Sequence, residues 1–319
     1  MRPSVRGGRL TPTNDLTADA DGPPILLTTD GTRPFCDVRP FSWRQLLARP
    51  CGFRWIRCIL CGMETRSRDD IATVAAIGLV AYVCADIAHH ALGHGAACLA
   101  LGGQIRSLSS IFVNCSLTGA AIDLAGPFAN LVVGLVALLA SHFTPRAPAT
   151  RLFLVLAAAF NLFWFGLQLS FSAATRTDDW AWAIHYFHIS EALRYSLIAV
   201  GALAYVFSVR VISVAMMRFA HPPGRAMTIV VTAWITAGAI ACATAAFDTN
   251  PVSAILRHAA PQSLLISAGL LFLPARAARL PFTDSSYAAI GRSVPWIVAA
   301  VIVGVVSIVY LGPGIAILT

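Results

Sequence analysis

The chain has 319 residues, of which 57% are hydrophobic and only 12% are charged, and its mean hydropathy is +0.72. Soluble domains carry about a quarter charged residues, so this composition excludes an ordinary soluble globular protein. The formal net charge of +8 comes from arginine alone, because the chain has no lysine. These arginines lie in the first 70 residues and in short connections between apolar segments, a distribution typical of membrane proteins rather than nucleic-acid-binding ones.

Residues 1–68 are rich in Pro, Gly, Thr, Arg and Asp and show no sustained period, which predicts a disordered head. No apolar segment follows the early arginines, so the head does not read as a signal peptide. Met63 begins a short polar stretch that leads into the first apolar segment. An alternative prediction is that translation starts at Met63 and that the residues before it are not part of the protein.

The eight cysteines do not predict a disulfide framework. The Cys58-x-x-Cys61 pair in the head lacks the second pair that a zinc ribbon needs. The cysteines in or beside apolar helices are expected to behave as small hydrophobic residues; these are Cys84, Cys98, Cys115 and Cys242.

From residue 69 to residue 319 the sequence predicts an all-α, multi-pass membrane domain of six or seven helices, with about 20 apolar residues per crossing. The predicted segments lie near 71–101, 117–142, 151–173, 190–217, 226–247, 263–275 and 293–317. The sixth is short and bounded by Pro261 and Pro274, so it is expected to be re-entrant or to pair with 251–259.

Histidines inside the first apolar segment form the strongest candidate site. A buried ionisable group in a membrane helix is by default functional, and His90 and His94 are one α-helical turn apart, about 40° in projection. This spacing predicts that both bind one metal ion, whereas His89 lies about 140° from His94 and is expected only to support the site. Asp86 precedes His90 by one turn and is placed to accept a hydrogen bond from a ligating imidazole.

Two later motifs are predicted to join these histidines. Asn130 follows Gly126-Pro127 at the start of the second segment, where a buried amide can bridge helices. Asp178 and Asp179 follow the third segment, and either carboxylate can complete a two-histidine, one-carboxylate site, with Asp179 preferred. Alternating crossings bring all three motifs to the same membrane face.

These residues together resemble the site-2 protease family of intramembrane zinc metalloproteases. The resemblance covers about residues 80–205 and rests on His90-Ala-Leu-Gly-His94, on Gly126-Pro-Phe-Ala-Asn130, and on Asp178-Asp-Trp180. It implies a zinc ion held by His90, His94 and Asp179 or Asp178, with Asp86, His89 and Asn130 in supporting roles.

The chain departs from the family at the residue that makes the family catalytic. Ala91 occupies the position of the general-base glutamate, so the resemblance implies a metal-binding homologue whose peptidase activity is impaired or absent. The family usually has its site near the cytoplasm, whereas loop arginines here, seven against three, predict a cytoplasmic N-terminus and a site toward the outside.

The sequence thus predicts a membrane protein that contacts the lipid bilayer, and the resemblance implies a bacterial inner membrane and transmembrane helices of other proteins as partners. Two alternatives stay open. One is a transporter or channel with a proton or metal relay through Asp86, His89, His90 and His94. The other is a structural membrane protein whose histidines only form hydrogen bonds across helices.

Overall fold

A computed structural model of the chain describes residues 69–144, 147–220, 224–279 and 289–316. The predicted head, 1–68, with Met63 and the Cys58–Cys61 pair, lies outside the described residues. In chain order the elements are α1 (Ile71–Ile87), a π-helical segment (Ala88–Gly95), α2 (Ala96–Ala100), β1 (Ile105–Leu108), β2 (Val113–Cys115), α3 (Ala120–His142), α4 (Pro148–Thr175), α5 (Asp179–Tyr186), α6 (Glu191–Met216), α7 (Arg225–Ala245), α8 (Pro251–Ala254), α9 (Leu273–Ala277), α10 (Val294–Val306) and β3 (Ile315–Ala316).

The prediction of a multi-pass helical membrane domain is confirmed. Short π-helical and 3₁₀ turns join or extend several of these elements, and the described residues then contain seven helices long and apolar enough to cross a membrane. The seven are Ile71–Ala100, Ala120–His142, Pro148–Thr175, Glu191–Phe219, Arg225–Ala245, Pro251–Ala277 and Val294–Leu311.

The sixth span joins the predicted segment 263–275 to 251–259, the second of the two predicted alternatives, and is not a short segment. It runs without a break through Pro261 from Pro251 to Ala277, and the turns around the proline are π-helical before giving way to 3₁₀ geometry. Proline removes a backbone donor and clashes with the preceding turn, so an α-helix cannot continue regularly through it. Local π and 3₁₀ adjustments restore the backbone hydrogen bonds, as membrane helices tolerate.

Helix α4 lies at the centre of the bundle. Its side chains Leu152, Leu156 and Phe163 are completely buried, and α1, α3 and α6 pack around it. The outward faces of the peripheral helices expose large apolar side chains such as Leu139 and Leu203. An exposed apolar surface of this kind is unfavourable in water and is what contact with lipid requires.

A small sheet covers one end of the bundle. Strands β1 and β2 form an antiparallel hairpin between the first two spans, and β3 from the end of the chain pairs antiparallel with β1. A disulfide between Cys98 and Cys115 ties α2 to β2. The expectation that these two cysteines are merely small hydrophobic residues is therefore wrong, since the turn after α2 brings them together across 17 positions of sequence.

The opposite end is held by a buried ion pair. The Arg225 guanidinium, at the start of α7, donates from Nε to Asp69 Oδ2 over 2.6 Å and from Nη2 to Asp69 Oδ1 over 2.8 Å. Asp69 also accepts from the backbone N–H of Ile290. The pair therefore joins the segments that precede α1, α7 and α10.

Replacing Arg225 by alanine is expected to destabilise the bundle strongly. Removal of one partner leaves the buried Asp69 carboxylate without its bidentate partner, and such losses cost about 3–5 kcal/mol. The midpoint of thermal unfolding in detergent should fall clearly for Arg225→Ala and hardly at all for Arg257→Ala, an exposed arginine in the sixth span. Equal midpoints for the two variants would contradict a structural role of the pair.

Candidate metal centre

Three acceptor atoms converge where the first span, the start of α3 and the start of α5 meet. His89 Nε2 lies 3.2 Å from His94 Nε2. Asp179 Oδ2 lies 3.0 Å from His89 Nε2 and 3.3 Å from His94 Nε2. Within the described residues, these three side chains form the one group of at least three histidine, cysteine or carboxylate ligands close enough to hold a metal ion. His89, His94 and Asp179 are called the metal group below.

The three separations fit the ligand spacing of a tetrahedral metal site. Zinc binds histidine nitrogen and carboxylate oxygen at about 2.0–2.2 Å, so two ligands at the tetrahedral angle lie about 3.3 Å apart. All three distances are within a few tenths of an ångström of this value. Three ligands occupy three corners of the tetrahedron and leave the fourth for a water or another ligand.

The π-helical turn explains why His89, rather than His90, joins His94. In a π-helix the backbone hydrogen bonds connect residues five apart, so residues i and i+5 lie on the same face of the helix. The segment from Ala88 to Gly95 has this geometry and brings His89 to the same face as His94, with the two rings edge to face at a centroid distance of 4.8 Å. The sequence-based expectation that His89 only supports the site assumed an α-helical turn throughout, whereas the structure places His89, and not His90, beside His94 and Asp179.

His90 points to a different partner. Its Nδ1 lies 3.2 Å from Asp86 Oδ1 and equally far from the backbone oxygen of Asp86. Asp86 therefore contacts His90, as its position in the sequence predicts. His90, however, is not one of the three side chains that converge, so Asp86 does not orient a candidate metal ligand. Of the four predicted ligands, the structure brings together His94 and Asp179.

Hydrogen bonds fix which nitrogen of His89 is free. The amide nitrogen of Asn130 donates to the backbone oxygen of Ala85 and to Asn161 Oδ1, so Asn130 turns its oxygen toward His89 Nδ1 at 2.6 Å. Asn161 in turn donates to the backbone oxygen of Ala157. An amide oxygen only accepts, so His89 Nδ1 carries the hydrogen and Nε2 presents its lone pair to the site.

His94 is held in the same tautomer by the backbone. Its Nδ1 lies 2.7 Å from the carbonyl oxygen of Ile122, which also only accepts. Metal-ligating histidines usually donate their other ring N–H to a carbonyl or carboxylate, as both of these rings do. Two imidazole lone pairs and a carboxylate oxygen thus face one another, an arrangement that a cation or a proton between them stabilises.

Two glycines make room for these rings. A Cβ on Gly93 would overlap the backbone of Gly126, and a Cβ on Gly126 would overlap the His94 ring at Nε2. The π-helical segment and α3 therefore approach each other backbone to backbone, in the way that small residues permit between membrane helices. This close approach explains the Gly-Pro motif at the start of the second span.

Asp179 is positioned by a buried glutamine and by an unusual backbone. Gln168 Nε2 donates to Asp179 Oδ2 over 2.9 Å and to Asp178 Oδ2 over 3.1 Å. Asp178 has a φ of 73° and a ψ of −179°, a conformation that favours glycine and costs about 1–3 kcal/mol in other residues. Residues under such strain cluster at functional sites, and here the turn directs Asp179 at the histidines.

The two neighbouring carboxylates differ in their electrostatics. Burial would raise the pKa of Asp179, but contact with the His89 and His94 rings, which can take up a second proton at Nε2, holds that pKa well below its usual range. Burial, and then the charge of Asp179, raise the pKa of Asp178. Asp179 is therefore the charged carboxylate that the two histidines face.

Sequence reasoning missed several residues of this site. Trp164 stacks on the His89 ring with centroids 4.9 Å apart, and Asn161 and Gln168 lie on the same face of α4. Their spacing of three and four residues in an otherwise apolar span was a detectable signal. Asp123, half-buried in the first turn of α3, also interacts electrostatically with Asp179 and His94.

No protein-family model, curated protein or solved structure matches this chain. The resemblance to site-2 proteases therefore stays a prediction that rests on the sequence motifs alone.

Gly126→Ala is expected to abolish metal binding without unfolding the bundle. The added methyl group would occupy the space of His94 Nε2 and push that ring away from Asp179. The measurement is metal content per chain after purification in detergent. Gly304→Ala is the matched control, because a Cβ there meets only ordinary contacts at 3.7 Å or more. Full metal content in Gly126→Ala would contradict the described position of His94.

Proposed function

We propose that this chain is an intramembrane zinc-binding protein of the site-2 protease type, in which His89, His94 and Asp179 hold the metal. The observation that carries the proposal is the convergence of three lone-pair atoms at the separations of a tetrahedral site. Peptidase activity is expected to be absent or severely weakened.

The set of donor atoms favours zinc in a catalytic type of site. Imidazole suits zinc, and two histidines with one carboxylate and an open fourth position are typical of zinc hydrolases. Zinc in such a site polarises a carbonyl group and lowers the pKa of a bound water toward about 7. The chain itself supplies the orientation, through Asn130 for His89, the Ile122 carbonyl for His94, and Gln168 for Asp179.

Peptide hydrolysis also needs a group that accepts the proton of the attacking water. Ala91 has no group that can accept a proton. In the family motif the general base directly follows the first ligand, and if His89 is that ligand, the following residue is His90, whose Nδ1 faces Asp86. Glu191, the one glutamate after residue 70, is bound to Arg176 and Arg194. Asp178 and Asp123 are further carboxylates that interact electrostatically with the site, and Gln168 donates a hydrogen bond to Asp178.

The biological role that follows is capture rather than cleavage of membrane-embedded helices. A metal-binding bundle without an efficient general base can still bind a transmembrane segment of another protein and act as a regulator. The apolar helices support residence in a lipid bilayer. The resemblance to site-2 proteases is the ground on which we propose a bacterial inner membrane.

A proton relay is the second candidate, and the buried Asp86–His90 pair favours it. Asp86 lines a small cavity with Tyr82, Thr244, Gln262 and Ser307. Its volume of about 10 Å³ suits roughly one water molecule. A path across the membrane needs a longer chain of waters or polar groups, so we rank this candidate below the metal site.

Two independent features support an extracytoplasmic position for the site. The Cys98–Cys115 disulfide lies at the end of the bundle where the metal group lies, and disulfides persist in oxidising compartments. Arginines such as Arg218, Arg276 and Arg292 lie at the other end, where the positive-inside rule places the cytoplasm. We propose that this chain differs in orientation from the family it resembles.

Metal content of single-site variants tests the proposed ligand set. Wild-type protein purified in detergent should contain about one zinc per chain, because three ligands are preorganised. Zinc should be lost in His89→Ala and in Asp179→Asn and retained in His90→Ala.

Asn130→Ala should weaken zinc binding by about 10–100-fold, the usual effect of removing a partner that orients a ligand. Loss of zinc in His90→Ala but not in His89→Ala would contradict the π-helical arrangement, and no zinc in the wild type would refute the proposal.

The same preparation tests the expected loss of peptidase activity. Zinc-loaded wild type should cleave membrane-embedded peptides no faster than Asp179→Asn, which lacks a ligand. Faster cleavage by the wild type would contradict the expected loss of peptidase activity. If that cleavage then disappeared in Asp123→Asn, Asp123 would be the general base.

Labelling of single cysteines tests the orientation. A variant that keeps Cys115 alone should react in intact bacterial cells with a maleimide that does not cross membranes, since β2 is expected outside. Arg292→Cys in a cysteine-free background is the control and should react only after the cells are permeabilised. The reverse pattern would place the metal group at the cytoplasmic face.

A further inference from the structure

A second polar cavity lies beside α5, between the end of α4 and the start of α6. Its volume is about 560 Å³, within the range of small-molecule sites. The lining residues are Ser172, Arg176, Ala181, Trp182, Ile184, His185, His188, Ile189, Glu191 and Arg194. None of these is a ligand of the metal group.

The polar lining of this cavity is suited to an anion. Two guanidinium groups, Arg176 and Arg194, face one carboxylate, Glu191, so the cavity has a net positive charge even with its histidines neutral. Arg176 is two-thirds exposed and contacts Glu191 through Nη2, which leaves further N–H donors for a ligand. His185 and His188 add two imidazoles whose ring centroids are 6.4 Å apart.

A buried hydroxyl points independently to a ligand. Ser172 is completely buried and lines the cavity, yet its Oγ has no hydrogen-bond partner. A buried polar atom without a partner costs free energy, and native proteins usually supply one. A bound oxyanion can accept a hydrogen bond from Ser172 and from Arg176 at the same time.

The surroundings indicate an amphiphilic ligand rather than a free ion. The walls include the apolar side chains Ala181, Ile184 and Ile189, and the cavity is much larger than a phosphate ion requires. Trp182, Tyr186 and Tyr195 are each more than 60% exposed at this end. Exposed tryptophan and tyrosine at the end of a membrane helix are typical of the headgroup region of the bilayer.

We propose that this cavity binds the phosphate-bearing headgroup of an anionic phospholipid, with Arg176 and Ser172 contacting the phosphate oxygens. Arg194, held by Glu191 and by the backbone oxygen of Ala173, provides positive charge at the base of the cavity. The inference does not depend on the metal group. Because α5 carries both Asp179 and part of this cavity, a bound lipid also contacts the helix that delivers Asp179.

Lipid binding to the purified full-length chain tests the proposal. Native mass spectrometry in a neutral detergent should show tighter binding of phosphatidylglycerol than of phosphatidylcholine with the same acyl chains. Arg176→Gln should weaken phosphatidylglycerol binding about tenfold, the equivalent of one charged hydrogen bond. Arg257→Gln is the control, since it removes an exposed arginine elsewhere in the chain. Ser172→Ala is a second variant that keeps every charge, and it should weaken binding by a smaller factor.

The outcomes separate lipid from free phosphate. Inorganic phosphate at millimolar concentration and soluble phosphatidylglycerol are each added as competitors of the bound lipid. If the two compete equally well, the cavity is a phosphate site and its ligand is the free ion. Equal binding of the two lipids, or equal effects of Arg176→Gln and Arg257→Gln, would overturn the proposal. A thermal unfolding midpoint close to that of the wild type shows that each variant is folded.

Discussion

The structure depends on the need to satisfy polar groups that are buried inside a closely packed helical bundle. Three histidines, an asparagine pair and a glutamine lie in the buried interior of the first three spans, where an unpaired group costs several kcal/mol. The hydrogen bonds run from the backbone of α4 through Asn161 and Asn130 to His89. Because these hydrogen bonds put the ring hydrogen of His89 on Nδ1, the Nε2 lone pair of His89 faces the site. The same network therefore holds three helices together and determines what the site can bind.

The metal group is a consequence of backbone geometry as much as of residue type. A π-helical turn aligns His89 with His94, and contact between Gly93 and Gly126 brings α3 close enough for Asn130 and the Ile122 carbonyl to reach the two rings. The strained turn at Asp178 delivers the third ligand. All three features orient side chains toward one point.

The two ends of the bundle are held by different chemistry. At the end with the metal group, the Cys98–Cys115 disulfide and the three-stranded sheet hold the segment that follows the π-helical turn. At the opposite end, the Asp69–Arg225 pair joins the segments before three spans. The end with the metal group also carries the cationic cavity beside α5, so the metal group and the proposed lipid site share one helix.

The sequence by itself determined the class of fold, because long apolar segments with few charges leave a helical membrane bundle as the stable solution. Its motifs also indicated that His94 and Asp179 are candidates for one site, since alternating crossings bring them to the same end. Only the tertiary structure decided that His89 replaces His90, because helical periodicity cannot reveal one π-helical turn. The partners of Asp86, the Cys98–Cys115 bond and the roles of Asn161, Trp164 and Gln168 likewise depend on which faces of neighbouring helices meet. That choice is made by packing over the whole bundle, and no local pattern in the sequence contains it.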